Sequence, residues 1–205
     1  MMTLVATIAL VVTASYLIGA IPASFIMGRL ARGIDLREHG SGNLGAANTF
    51  RVLGRAAAVP VLLFDIGKGF FAVWYISGLG GTSIIFSLLA AVSVVIGHNY
   101  SIFVRFSGGK GVGTTAGAFI ALAPYAVLFC LAIWLITLLL SRIVSLASMV
   151  AAVFLPLSIY LSNLFLDAGT HGAVLLLSIV VALLVIYKHR PNIQRLREGR
   201  EKKIF

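Results

Sequence analysis

The side chains of this chain that could hold a phosphate gather in a few short polar stretches. They are His39-Gly-Ser-Gly-Asn-Leu-Gly-Ala-Ala-Asn-Thr-Phe-Arg51, Gly97-His-Asn-Tyr100 followed by Gly108-Gly-Lys-Gly111, and His189-Arg-Pro-Asn-Ile-Gln-Arg-Leu196. In the first, glycines let successive amides approach an anion, Ser41, Asn43 and Asn48 add neutral hydrogen bonds, and Arg51 adds a bidentate charge. The run matches G-x-G-x-x-G formally, but an Arg-rich segment precedes it where a dinucleotide site needs a buried strand. A flexible loop whose arginines fix membrane orientation is the competing reading.

The second stretch is not a Walker A loop, because Gly111 follows Lys110 where Ser or Thr is required and Val104 fills the leading glycine position. A glycine turn with one lysine entering a helix is still a phosphate cradle: Gly108, Gly109 and Gly111 offer amides, and Lys110 a point charge. Gly109, Gly113 and Gly117 also form a small-xxx-small series that would serve close helix packing. In the third stretch Pro191 can open a short helix, with His189 just before it and Asn192 and Arg195 in its first turns. From Arg197 onward the run reads as a polybasic anchor.

Other polar residues have simpler readings. Asp65 and Lys68, one helical turn apart in an apolar run, read as a structural ion pair. His98 reads as a structural hydrogen-bonder, His39 and His171 as interfacial, and Cys130 as a small core residue. Without H-E-x-x-H or paired carboxylates, zinc proteolysis and glycosidase chemistry have no support, and no metal or cofactor is expected.

What positions these stretches is a membrane. The 205 residues are 60% hydrophobic and 11% charged, with a mean hydropathy of +1.06. Sixteen Lys and Arg against six Asp and Glu give a net charge of +10, in keeping with an anionic leaflet or an anionic substrate. Nucleic acid is a poor reading, because aromatic residues are not interleaved with the basic ones.

A span needs about 20 apolar residues, and such segments lie at 3–28, 56–79, 82–104, 112–140, 143–165 and 171–188. The first reads as a retained helix and not a cleaved signal, since no basic residues precede it. Arg29, Arg32, Arg37, Arg51 and Arg55 place the first connection in the cytoplasm. A single 112–140 span would then put Arg142 and the basic tail outside. Pro124 near its middle lets it divide into two, which returns both to the inside. The expected architecture is therefore an all-α integral membrane protein, a single domain over 1–205. It is a seven-transmembrane-helix bundle with the N-terminus outside and the C-terminus cytoplasmic. All three polar stretches and Ser141-Arg-Ile-Val-Ser145 then share the cytoplasmic face, where they can converge on one anion.

Taken together, Ser41-Gly-Asn-Leu-Gly-Ala-Ala-Asn48, Gly97-His98 through Gly108-Gly-Lys-Gly-Val112, and His189-Arg-Pro-Asn-Ile-Gln-Arg-Leu196 resemble the motifs of the bacterial acyl-phosphate:glycerol-3-phosphate acyltransferase family. The likeness covers essentially the whole chain. It departs at Ala47, Ser101 and Gly113, where the family usually has Thr, Pro and Ala. The resemblance implies transfer of a fatty acyl group from acyl phosphate to the 1-hydroxyl of sn-glycerol 3-phosphate, giving lysophosphatidic acid and phosphate, the first acylation of phospholipid synthesis. The site would face the cytoplasm at the bacterial inner membrane.

Carried over residue by residue, Ser41, Arg51 and Lys110 bind phosphate, with Asn43, Asn48, Gly108, Gly109 and Gly111 supporting them. His189 and Asn192 orient the glycerol hydroxyls, and Ser141, Arg142, Ser145 and Arg195 line the same pocket. The proton acceptor is either the donor's own phosphate, which the resemblance favours, or His189. The implied partners are acyl phosphate, glycerol 3-phosphate and the lipid bilayer, with a soluble acyl-phosphate-producing enzyme as a further candidate.

The alternative is a transporter of a small phosphorylated metabolite, but the expected outer loops carry no Lys or Arg. Acyl-CoA-type enzymes usually carry H-x₄-D, which is absent, and Asp35, Asp65 and Asp167 lie too far apart in sequence for the clustered-Asp metal motif of CDP-alcohol phosphotransferases.

Overall fold

A computed structural model describes residues 3–204, and no strand occurs among them. The chain divides into two compact units, Met1–Ala121 and Leu122–Phe205.

The first unit opens with α1 (Leu4–Ala20) and α2 (Ala23–Arg32). The apolar run at 3–28 reads as one span, and Leu4–Arg32 stays one candidate crossing, its helix interrupted at Ile21-Pro22. Pro22 has no N–H to continue the ladder, so carbonyls of the preceding turn lose their helical partners. Side chains from elsewhere replace them. Ser101 Oγ donates to the Ala20 carbonyl at 2.5 Å, and Lys68 Nζ to the Ile21 carbonyl at 3.1 Å. Then follow α3 (Ala46–Leu53) and α4 (Arg55–Phe71), the latter extended by a π turn at Ala72–Ile76 and a 3₁₀ turn at Ser77–Gly80. Next come α5 (Ile84–Asn99), a 3₁₀ turn at Ile102–Val104, and α6 (Val112–Leu122).

Glycine sets the helix spacing. A methyl group on Gly19 or Gly97 would strike the backbone of the facing helix in the α1–α5 pair, and one on Gly69 or Gly117 would do so between α4 and α6. Apolar side chains gain little by meeting each other in lipid, so small residues that permit close backbone approach hold such helices together.

The second unit holds α7 (Pro124–Ser141), α8 (Val144–Leu166), α9 (Gly172–Lys188) and α10 (Arg190–Arg197). The long 112–140 run is divided as expected, with Pro124 in the first turn of α7, where its missing N–H costs nothing. Polar contacts fix α7 on α8: Trp134 Nε1 donates to Ser148 Oγ at 3.3 Å, and the Cys130 thiol lies 3.5 Å from Ser158 Oγ. Between α9 and α10 the axis turns by 57° at His189.

Among the described residues, five segments are long and apolar enough to cross a membrane: Leu4–Arg32, Arg55–Gly80, Ile84–Val104, Pro124–Ser141 and Val144–Leu166. The bent pair Gly172–Lys188 with Arg190–Arg197 raises the number to six, and Val112–Leu122 is apolar but shorter. The chain is an integral membrane protein built of helices. Large apolar side chains such as Leu30, Leu140 and Phe165 lie exposed along them, a surface suited to lipid and not to water.

Candidate active site

In the first unit the polar loop between α2 and α3 is pinned by a side chain from α3. Asn48 is buried, and its carboxamide is fully used inside the loop. Its Oδ1 accepts from the Ser41 amide at 2.7 Å and the Ser41 hydroxyl at 3.1 Å. Its Nδ2 donates to the carbonyls of Leu36 at 3.1 Å and His39 at 3.0 Å. Gly40 has φ +66°, and a methyl there would run into Asn48 Oδ1, so only glycine serves. Leu36 and Leu44 anchor the two ends of the loop in a small apolar cluster with Val104. Ser41 is left exposed and Arg51, on α3, half-buried.

Acid and base flank that loop. Asp35 accepts from Arg37 Nη2 at 2.6 Å and Nε at 3.1 Å, while Arg37 Nη1 donates to the Val104 carbonyl at 3.1 Å. The Arg37 hydrogen bond holds the Asp35 carboxyl down at about 2, against the opposing effect of burial. The same bond raises Arg37. His39 Nδ1 meets the Asp35 carbonyl at 2.9 Å, and because a carbonyl only accepts, that nitrogen carries the hydrogen.

The glycine stretch lies against the end of α5. The Gly109 amide donates to the His98 carbonyl at 3.1 Å. A methyl on Gly108 would strike the same carbonyl, and one on Gly109 would strike the carbonyl of Leu44. The first two polar stretches therefore adjoin, meeting at Leu44 and Gly109. Gly111 takes φ +80°, turning the chain into α6. Lys110, between two buried glycines, is half-buried.

The second unit assembles its polar residues around one carboxylate. Glu201 Oε1 accepts from Ser145 Oγ at 2.7 Å and Asn192 Nδ2 at 2.6 Å, and Oε2 from Arg195 Nε at 2.7 Å. Its side chain is 3% exposed. Burial opposes its charge, but the hydrogen bonds from Ser145, Arg195 and Asn192 outweigh this and keep Glu201 below its ordinary value. Three candidates chosen from widely separated positions, Ser145, Asn192 and Arg195, thus share a partner that was not among them. The tail is docked a second time where the Ile204 amide donates to the Arg142 carbonyl at 2.8 Å.

Arg142 caps α7 with φ +61° and is exposed, while Ser141 Oγ is turned to the Thr137 carbonyl at 2.6 Å. His189, buried at the α9–α10 bend, donates from Nδ1 to the Val185 carbonyl at 2.8 Å, so that nitrogen carries a hydrogen.

Sequence reasoning missed Glu201 and the Asp35–Arg37 pair. Glu201 fell within a run read as an anchor from Arg197 onward. The signal available was one acid embedded between Arg200 and Lys202, a place where a simple basic anchor has no use for it.

The family model described as glycerol-3-phosphate acyltransferase matches residues 9–199. A glycerol-3-phosphate acyltransferase 2 of Moorella thermoacetica is 46% identical over 197 residues, covering 95% of this chain and 96% of that one. A glycerol-3-phosphate acyltransferase of Chlorobaculum tepidum is 40% identical over 220 residues, covering 95% of each. Among solved structures, PlsY (YgiH), an integral membrane glycerol 3-phosphate acyltransferase, superposes in its glycerol 3-phosphate form with a TM-score of 0.83. The identity is 38%, over 96% of this chain and 94% of the other. Its lysophosphatidic acid form gives the same TM-score at 36% identity.

Proposed function

The chain belongs to the glycerol-3-phosphate acyltransferase family, and from that premise we propose that it takes its acyl group from a fatty acyl phosphate and delivers lysophosphatidic acid and phosphate. The observation that carries this reading is the seating of the Gly108–Gly111 turn, with Lys110 in it, against the Asn48-pinned loop that bears Ser41. An acyl phosphate and glycerol 3-phosphate are both anions, so the enzyme must first overcome their repulsion. Backbone amides, Lys110 and Arg51 supply the positive field for this.

The chemistry needs little more than alignment. The 1-hydroxyl oxygen of glycerol 3-phosphate attacks the acyl carbonyl carbon, the bond from that carbon to the phosphate oxygen breaks, and the hydroxyl proton passes to an oxygen of the departing phosphate. Phosphate is a good leaving group, so a covalent acyl-enzyme offers no advantage, and Cys130 is set among apolar helices. Lys110 and the loop amides stabilise the charge collecting on phosphate. Ser41 and Arg51 bind phosphate beside them, with Asn43 and Asn48 shaping their loop. In the second unit His189 and Asn192 orient the glycerol hydroxyls, and Ser141, Arg142, Ser145 and Arg195 serve the same substrate. Proximity and orientation of this kind can supply about 7–11 kcal/mol of barrier reduction.

The same reading places the protein in the bacterial inner membrane as one functional domain of seven crossings, with its reaction at the cytoplasmic face. A soluble enzyme that makes acyl phosphate would supply the donor there. Purified protein given glycerol 3-phosphate with palmitoyl phosphate, palmitoyl-CoA or palmitoyl-ACP tests the donor. Lysophosphatidate and phosphate should form from palmitoyl phosphate alone. Product from the CoA or ACP ester but not from acyl phosphate would overturn the proposal.

A further inference from the structure

Beneath the glycine turn lies a group of ionisable side chains that the proposed reaction does not use. Asp65 and Lys68 project from α4 and His98 from the end of α5, and they are 5%, 4% and 8% exposed. Lys68 Nζ stands 2.7 Å from Asp65 Oδ1, and His98 Nδ1 stands 3.4 Å from the same oxygen. Lys68 also donates to the Ile21 carbonyl at the α1–α2 break. A buried ion pair needs no histidine to complete it, since Lys68 already neutralises Asp65.

The far edge of the imidazole accounts for the histidine. Its Nε2 faces Gly109 so closely that a methyl on that glycine would collide with it. The carbonyl of the same residue accepts the Gly109 amide at 3.1 Å and lies against Gly108. His98 thus supports the turn through both ring and backbone, while Asp65 holds the ring from behind. The next residue continues the support: Asn99 Oδ1 would lie 2.7 Å from a methyl on Gly111.

We propose that Asp65, Lys68 and His98 are positioning residues that fix the Gly108–Gly111 turn, and with it the direction from which Lys110 and the turn amides other than that of Gly109 meet a substrate phosphate. The inference rests on the acyltransfer reading for its substrate, not for its geometry. Gly109 covers Nε2, so His98 is placed to hold the turn and not to take a proton from the acceptor. Through Lys68 and Ile21 the turn is referenced to α1 as well as to α4 and α5. A loop that must present amides to an anion is thereby fixed to rigid elements.

The test compares wild type with His98→Gln, His98→Ala, Asp65→Asn and the double variant of Asp65→Asn with His98→Ala, all purified in detergent. It measures both substrate KM values, kcat, and hydrogen exchange of the amides around 108–111. For His98→Ala we expect kcat/KM to fall roughly tenfold or more for at least one phosphorylated substrate, through kcat as well as KM, because Lys110 and the turn amides act on the leaving phosphate. Exchange should quicken in the turn and stay unchanged in the interiors of α5 and α6. Gln should restore much of the kcat/KM. The double variant should match His98→Ala alone, because Asp65 acts through the ring.

Unchanged kcat/KM and exchange in folded His98→Ala would overturn the proposal. So would additive effects in the double variant, or failure of every variant to fold, which would mean that the group holds the helices and not the turn. Should wild type itself transfer no acyl group, the acyltransfer reading fails by itself, and hydrogen exchange still decides the positioning role.

Discussion

Lys110 and Glu201 are both charged residues beside polar backbone, yet their duties differ. Lys110 sits in a turn held where the His98 carbonyl accepts the Gly109 amide, and the proposed mechanism sets its charge beside phosphate as the leaving bond stretches. Lys110→Ala should lower kcat/KM by roughly 10²–10³-fold, the usual loss when one donor to a developing anion is removed, as measured by phosphate release. Near-normal turnover would remove the cradle from the mechanism. Glu201 instead holds other residues. In Glu201→Gln an amide oxygen can still accept from Ser145 and Asn192, but an amide N–H₂ then faces Arg195 Nε, donor against donor. The acceptor KM should rise several-fold, and Glu201→Ala should be worse than Gln because all three partners are then released. Asp35 gives a pH signature. Its folded value of about 2 lies below the ordinary 3.8, so the stability it contributes is fully present above about 4 and is lost as pH falls toward 2. The stability gap between wild type and Asp35→Asn, followed by thermal unfolding in micelles, should be widest near neutrality and close over that acid window.

At the scale of elements, helix packing rests on glycines that sequence spacing identifies only in part. The Gly109, Gly113 and Gly117 series reads equally as a phosphate turn or as a packing stripe, and the structure divides it between the two. Gly117 presses on the backbone of Ile66 in α4, whereas Gly109 belongs to the turn over His98. Gly117→Ala should therefore destabilise the protein by about 1–3 kcal/mol, the usual effect of overpacking. Gly67→Ala, one residue from the contact but facing open space, should be neutral or stabilise by up to about 1 kcal/mol through helix propensity. Chemical denaturation of the two variants in mild detergent checks the pair. The division of 112–140 was legible because Pro124 and the charge count pointed to the same place. The break at Pro22 was not, since apolar residues continue on both sides of it. Its hydrogen-bond partners, Ser101 just after α5 and Lys68 on α4, come from sequence-distant segments. The π turn at Ala72–Ile76 carries no composition signal either. Within the candidate site, the glycine-rich turn and the loop pinned by Asn48 could be picked out from local chemistry. Glu201 and Arg37 could not, because their significance lies in partners that only the fold supplies.

For the molecule as a whole, the open quantity is the parity of membrane crossings, and α6 decides it. Its 11 residues rise only about 17 Å at 1.5 Å each, against about 30 Å of hydrocarbon. A helix this short crosses only if the non-helical residues before it enter the membrane shielded by protein. Gly109 and Gly111 are buried, which meets that condition. If α6 did not cross, every later connection would change sides. Arg142 and the basic tail with Lys188, Arg190, Arg195, Arg197, Arg200, Lys202 and Lys203 would then lie outside, opposite to the arginines of the first connection. That arrangement reverses the usual bias of basic residues toward the cytoplasm. With α6 crossing, Lys68 alone among the Lys and Arg residues lies inside one of the five long apolar segments and away from its ends, and it is paired with Asp65. Fusing a phosphatase that is active only in the periplasm, and separately a fluorescent protein that folds only in the cytoplasm, to the C-terminus distinguishes the two cases. We expect fluorescence without phosphatase activity at the C-terminus, and the reverse for a fusion placed in the 166–170 connection. Phosphatase activity at the C-terminus would mean an even number of crossings after an outside N-terminus, and would remove His189 and Asn192 from the cytoplasmic reaction.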